Sequence, residues 1–216
     1  MALDENRIFK NSFLILFKDK TVFYLAVLMT VIYLALSLSA GLFVSVTNLF
    51  YLSAYTIVLE VIIALIGVFV YGMVISHLGS SQNANISSLA RQSKSRFFSL
   101  LGTLILYSVI VSIGLVAFIV PGIYLLIRLF ASPASAVLDK KNPIDALSRS
   151  WHMTQGHGWE IFITVLMVGI VLFLISAAFD IVGISFISEF FGFSMIIASV
   201  LIYNSLSKNK KAIKLF

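Results

Sequence analysis

The chain has 216 residues, of which 60% are hydrophobic and only 11% charged, with no cysteine and a formal net charge of +6. Soluble domains carry roughly 25% charged residues, so this composition, with a mean hydropathy of +1.06, excludes a globule wrapped in its own charged surface. The lack of cysteine excludes disulfides, thiolate nucleophiles and Cys-based metal sites, and the positive charge reads as membrane topology and contact with anionic lipid, with no nucleic acid as partner.

In chain order, the opening ENRIFKNSFLILFKDK predicts a greasy amphipathic helix over 4–18. No charged residue then occurs between Lys20 and Glu60. That run is long enough for two membrane spans, placed at 22–43 and 52–76 with an uncharged turn over 41–53. Val22 to Leu36, followed by SLSA, has the look of a secretory leader. The residues before it include Asp4, Glu5 and Asp19 where a leader needs a short basic stretch, so it is read as the first span. ISSLARQSKSRF (86–97) sets Ile86, Leu89, Ala90 and Phe97 on one helical face, opposite Arg91, Lys94 and Ser95. A third span over 97–120 is expected to stop at Pro121-Gly122. The fourth, 122–138, is short and holds Arg128 and Pro133. Pro133 is a candidate break that would free backbone carbonyls as in transporter half-helices, although no matching interruption occurs elsewhere. NPIDALSRSWHMTQG predicts another amphipathic helix over 143–155. Asn142 caps it, Pro143 stands in its first turn, and Gly156 and Gly158 stop it. Ile144, Leu147 and Trp151 oppose Asp145, Arg149 and His152 on that helix. The last spans are 161–179 and 187–206.

The expected fold is an all-α polytopic membrane protein, one domain over 1–216. Its six transmembrane helices form three repeats of an interfacial amphipathic helix plus two spans. Every Lys and Arg except Arg128 falls in alternate connections. These are Arg7, Lys10, Lys18 and Lys20; Arg91, Lys94 and Arg96; Lys140, Lys141 and Arg149; and the tail Lys208, Lys210, Lys211 and Lys214. The turns at 41–53, 121–122 and 180–189 hold none. The positive-inside rule then places both termini in the cytoplasm and requires an even number of spans.

Within PGIYLLIRLFASPASAVLDKKNPIDALSRSWHMTQGHGWEIF (121–162) the residues Pro121 to Tyr124, Arg128, Pro133, the turn at 139–141, Ala146-Leu147, Ser150-Trp151 and Gly156 form a pattern. It resembles the multi-pass membrane domain fused to some bacterial glycerophosphodiester phosphodiesterases, and related stand-alone bacterial inner-membrane proteins. The specific part covers about a fifth of the chain. In the fused proteins the phosphodiesterase reaction belongs to a separate barrel domain. The resemblance therefore implies a fold and a bacterial inner-membrane location, and leaves function open.

Two ionisable residues lie within the spans, Glu60 in IVLEVII and Arg128 in LLIRLF. A charge in hydrocarbon costs about 2.5–3.5 kcal/mol or more, so such residues pair, line a polar cavity or reach for the interface. From the span ends their depths match, about 12 Å and 9 Å from the outer side at 1.5 Å per residue. A structural ion pair and an anion or lipid-headgroup site with Arg128 as ligand are the two main readings. Arg91, Lys94, Arg96, Arg149 and Trp151 are candidate headgroup contacts on the amphipathic helices. His77, His152 and His157 lack metal-ligand spacing, and there is no nucleophile elbow or phosphate-cradling loop. No metal, cofactor or catalytic residue is expected, and an enzyme is not. Membrane lipids, anionic in kind, are the expected partners, with a protein partner or a second copy of the chain beside them. Small residues such as Gly67 and Gly72, or Ser108 and Ser112, suit close helix packing.

Overall fold

The computed structural model describes residues 3–44, 49–79, 85–181 and 187–207, and these are helical with no strand among them. The helices are α1 (Glu5–Lys18), α2 (Lys20–Val44), α3 (Leu49–Gly79), α4 (Ile86–Ala117), α5 (Ile119–Leu129), α6 (Ser132–Leu138), α7 (Pro143–Met153), α8 (Gly158–Ile181) and α9 (Ile187–Leu206). Six segments are long and apolar enough to cross a membrane, with α5 and α6 together making one of them. The turn 41–53 lies partly, and the basic tail from 208 wholly, outside the described residues.

The first repeat begins with a capped helix. The Asp4 carboxylate accepts from Arg7 N–H at 2.9 Å, Glu5 stands in the first turn and Lys18 in the last, matching the helix dipole at both ends. Asp19 both ends α1 and opens α2, its Oδ1 accepting from the N–H groups of Thr21 and Val22 at 2.9 and 3.2 Å. One side of α1, with Ile8, Ser12, Ile15 and Leu16, is buried against α2, α8 and α9. It is therefore packed into the protein as well as amphipathic.

In the second repeat the expected interfacial helix does not exist as a separate element. Residues 86–117 form one helix of 32 residues. At about 1.5 Å per residue it is some 48 Å long and exceeds the roughly 30 Å hydrocarbon core. No Gly or Pro interrupts 86–97, and the buried positions Leu89, Ser93, Leu100 and Thr103 keep helical spacing straight through it. Ser93 Oγ donates to the Phe69 carbonyl of α3 at 2.6 Å. Ile86, on the apolar face expected to lie against the membrane, is exposed.

The break after α4 falls at Phe118, in extended conformation, and not at Pro121-Gly122. Proline lacks a donor that the first turn of a helix does not need, so Pro121 stands inside the start of α5. Gly122 is required by packing: a Cβ there would lie 2.6 Å from the backbone nitrogen of Leu115. The α4–α5 hairpin is thus a near backbone-to-backbone contact of the small-residue type.

The expected fourth span is two helices. The chain turns at Phe130-Ala131, and Pro133 lies in the first turn of α6. α7 is the expected helix, opened by Asn142, whose side chain accepts from Asp145 N–H at 3.0 Å. Its buried positions are Ala146, Leu147 and Ser150, packed on α4, α5 and α6, while Ile144 is exposed. Ser150 rather than Ile144 faces inward because a backbone carbonyl of the broken span lies there to receive it.

Most of the fully buried side chains gather toward one end of the bundle, away from the close contact of Gly114 with Gly122 in the α4–α5 hairpin. Val22 and Ala26 of α2, Val74 and Ile75 of α3, Leu89 and Leu100 of α4, Val137 of α6 and Ile197 and Ile202 of α9 are fully buried. Farther out, Val31, Leu38, Ile57, Val61, Ile113, Val116, Phe173 and Ile181 are exposed, as lipid-facing residues are. Polar contacts tie the packed end together. His77 Nε2 meets both Asp19 oxygens at 2.9 and 3.1 Å, and Asp139 gathers Arg149 at 3.4 Å and the Tyr203 hydroxyl at 2.5 Å. Gly79 stands against Leu138, so the ends of α3 and α6 are level.

α9 touches α1, α2, α3, α6 and α8. Phe190 packs on Phe23, centroids 5.6 Å apart, and each lies in the first turn of its helix. Tyr203, near the other end of α9, reaches Asp139. α9 thus links the α1–α2 junction to the end of α6.

Candidate functional site

Sequence spacing at the broken span already sets part of the site. Tyr124 and Arg128 are four residues apart on α5, hence on one face, and Arg128 Nε donates to the Tyr124 hydroxyl at 3.1 Å. The guanidinium lies 5.4 Å from the centre of the Tyr124 ring and 4.9 Å from that of Trp151 on α7. The two rings meet edge to face, 85° apart, and hold the cation in their corner. Cation–π contact steadies a desolvated guanidinium by about 0.5–2 kcal/mol without occupying its N–H donors.

Trp151 is brought there by the break in the span. The chain turns at Phe130-Ala131, so the carbonyls of the last turn of α5 lose their helical donors, and Pro133 has no N–H to offer that of Leu129. Ser150 Oγ donates to the Arg128 carbonyl at 2.9 Å, Thr154 Oγ1 lies 3.1 Å from the same oxygen, and Ser199 Oγ donates to the Phe130 carbonyl at 3.0 Å. Hydroxyls of α7 and α9 thus close the carbonyls that sequence reasoning had offered to a transported ion. The same hydrogen bonds press the end of α7, with Trp151, onto α5.

Beside Arg128 is a groove of about 500 Å³ lined by Val120, Ile123, Tyr124, Ile127, Trp159 and Phe162, with Gly156 and Gly158 at its edge. Gly156 has φ +82°, a left-handed conformation suited to glycine, and it turns the chain from α7 into α8. Val120 is 77% and Trp159 69% exposed, so the groove opens sideways toward lipid.

Glu60 is not part of this site. It is exposed on α3, and the ion pairs among the described residues are Asp19–His77, Asp139–Arg149 and His157–Glu160. Counted from the observed starts of α3 at Leu49 and α5 at Ile119, Glu60 and Arg128 stand about 16 Å and 14 Å along their helices at 1.5 Å per residue, and no ion pair joins them among the described residues.

The other candidates divide. Arg91 and Lys94 are exposed on the first turns of α4. Arg96 Nη1 donates to the Lys140 carbonyl at 3.3 Å, and Ser99 Oγ to that of Lys141, fastening the turn before α7 to α4. Lys140 is in the left-handed region there, φ 55°. Arg149 pairs with Asp139, and Trp151 holds Arg128, so these two serve contacts within the protein. A second pocket of about 530 Å³ lies at this turn, among Arg96, Ser99, Lys140, Lys141, Asn142 and Asp145. Among the described residues outside the spans, Asp19 is the group whose acidity is clearly changed. Burial pushes its carboxyl upward, but the hydrogen bond and charge of His77, with the Thr21 and Val22 N–H groups, outweigh that and hold it below its usual range.

The sequence model of a family described as a domain of unknown function (DUF7847) matches residues 49–207. The chain belongs to the DUF7847 family. The matched stretch takes in α3 to α9, and so the Arg128 groove and the turn at 139–142, while α1 and α2 precede it. No curated protein and no solved structure matches the chain.

Proposed function

We propose that this DUF7847 protein is a non-enzymatic integral protein of a bacterial cytoplasmic membrane whose cationic end engages anionic lipid, in support of envelope or lipid homeostasis. The observation that carries this reading is the convergence of cations on the packed end. Lys18 and Lys20 at the α1–α2 junction, Arg91, Lys94 and Arg96 on α4, and Lys140, Lys141 and Arg149 around α7 gather there from three separate parts of the chain. Each Lys or Arg near an anionic membrane surface is worth about 1 kcal/mol. Exposed Phe98 and Ile144 flank the pocket formed by Arg96, Lys140 and Lys141, which suits the boundary of headgroup and acyl chain. The second reading is movement of lipid or an anionic solute past an intramembrane site at Arg128, favoured by its open groove. Glu60 has no part in that site.

Thermal unfolding in nanodiscs tests the first reading. Replacing phosphatidylcholine with phosphatidylglycerol is expected to raise the melting temperature, and Arg91, Lys94 and Arg96 changed together to Gln should shrink that rise. Equal stability in both lipids for the native protein would sink it. Transbilayer movement of a fluorescent lipid by the protein reconstituted alone would favour the second reading.

A further inference from the structure

The Arg128 side chain combines three features that a purely structural cation does not need together. Among the described residues it has no carboxylate partner, and only its Nε–H is engaged, by Tyr124. Two perpendicular aromatic rings hold the guanidinium plane while leaving its terminal N–H edge unoccupied. That edge borders a groove whose remaining walls are Val120, Ile123, Ile127, Trp159 and Phe162, and which opens into the lipid-facing surface. A guanidinium fixed in this way presents a planar pair of donors matched to two oxygens of a phosphate. The groove around it offers nothing to a hydrated anion and much to hydrocarbon.

From this geometry we infer that the groove between α5 and the start of α8 is a binding site for an anionic glycerophospholipid. Its phosphodiester is held by the terminal N–H groups of Arg128, and an acyl chain lies along Val120, Ile123 and Phe162. The site deepens the proposed engagement of anionic lipid and rests on that reading for its ligand class. It adjoins the cationic end through α7, where Trp151 follows Arg149 by two positions, but its cation is Arg128 and not the exposed Arg91 and Lys94 of α4. The aromatic corner does the positioning. Tyr124 and Trp151 fix the guanidinium, and the hydroxyls of Ser150 and Thr154 fix Trp151 by docking α7 on the carbonyl of Arg128.

Two variants separate loss of the ligand from loss of the fold. Arg128→Gln removes the charge and keeps the backbone carbonyl that α7 uses. Gly158→Leu fills the groove from its edge: a Cβ there meets nothing within 4 Å, so the substitution enters open space. Full-length protein in detergent, titrated with phosphatidylglycerol and separately with phosphatidylcholine and oleate, is followed by native mass spectrometry. One tightly held phosphatidylglycerol is expected on the native chain. Each variant should weaken it about tenfold or more, the scale of a lost charge-assisted hydrogen-bonded pair, while Trp fluorescence and thermal unfolding remain cooperative. Arg91→Gln with Lys94→Gln should leave this one lipid in place. Retention of phosphatidylglycerol by folded Gly158→Leu or Arg128→Gln would overturn the site, as would equal retention of phosphatidylcholine or a preference for oleate. If only the Arg91/Lys94 variant loses lipid, the cationic-end reading stands and the groove does not.

Discussion

Asp19 performs two tasks whose energies can be separated. Its Oδ1 caps α2 through Thr21 and Val22, and both oxygens hold His77 at the end of α3. Asparagine caps a helix about as well as aspartate does. Asp19→Asn is therefore expected to lose only the ionic contact, and Asp19→Ala the cap as well, a further ~0.5–2 kcal/mol. The folded-state acidity of Asp19 is strengthened, so its contribution is present above the ordinary value near 3.8 and fades as pH falls through the lower folded value. Thermal unfolding of the native protein from pH 6 down to pH 3 should show that loss, and Asp19→Asn should show less of it. An unchanged acid profile in Asp19→Asn would mean His77 draws no stability from the carboxylate. The sequence offered Asp19 only as an argument against a leader peptide. Its partner lies 58 positions away, and no local pattern connects them.

The broken fourth span shows what is legible in an element and what is not. Pro133 announced the break, but its missing N–H frees only the Leu129 carbonyl four residues back, and those of Arg128 and Phe130 are freed by the turn at Phe130-Ala131. The hydroxyls that close them could not be read, because Ser199 is one of many serines in apolar helices until α9 crosses at that level. Ser199→Ala would strand the buried carbonyl of Phe130, at a cost of about 1–3 kcal/mol. Ser150→Ala is expected to cost less, since Thr154 Oγ1 also lies on the Arg128 carbonyl and can turn its single proton there. The Ser150→Ala, Thr154→Ala pair should then lose more than the sum of its members, a coupling that a double-mutant cycle in detergent measures. Additive losses would mean the two hydroxyls serve different carbonyls. Arg128 itself was legible as a charge in a span, and Tyr124 as its neighbour by four-residue spacing. Trp151 was assigned to lipid because its helix looked interfacial, and its true contact depends on the docking of α7. The 86–97 segment erred in the same direction: an amphipathic pattern reports a buried face, but not whether protein or membrane buries it.

Across the whole molecule, the charge pattern and the packing pattern coincide. The end rich in Lys and Arg is also where Leu89, Leu100, Val137 and Ile202 are fully buried, and the uncharged half of α2, α3, α4 and α8 presents apolar residues outward. Six apolar segments were legible because hydrocarbon thickness sets span length, whereas the expected three-part order fails in its second unit, where 86–97 runs on into α4. The contacts of α9 with α1, α2, α3, α6 and α8 were not legible, since its composition alone is that of a span. The central claim is that the cationic, tightly packed end faces the cytoplasm and its anionic leaflet. Because the chain has no cysteine, single cysteines can report it directly, but Ser93 is buried and bonded to Phe69 and would label poorly. Ser95 is exposed on α4 and is the better probe, with Ser45 in the link between α2 and α3 as its counterpart. In intact bacterial cells an impermeant maleimide is expected to modify Ser45→Cys and to reach Ser95→Cys only after permeabilisation. Labelling of Ser95→Cys from outside, with protection of Ser45→Cys, would contradict the account.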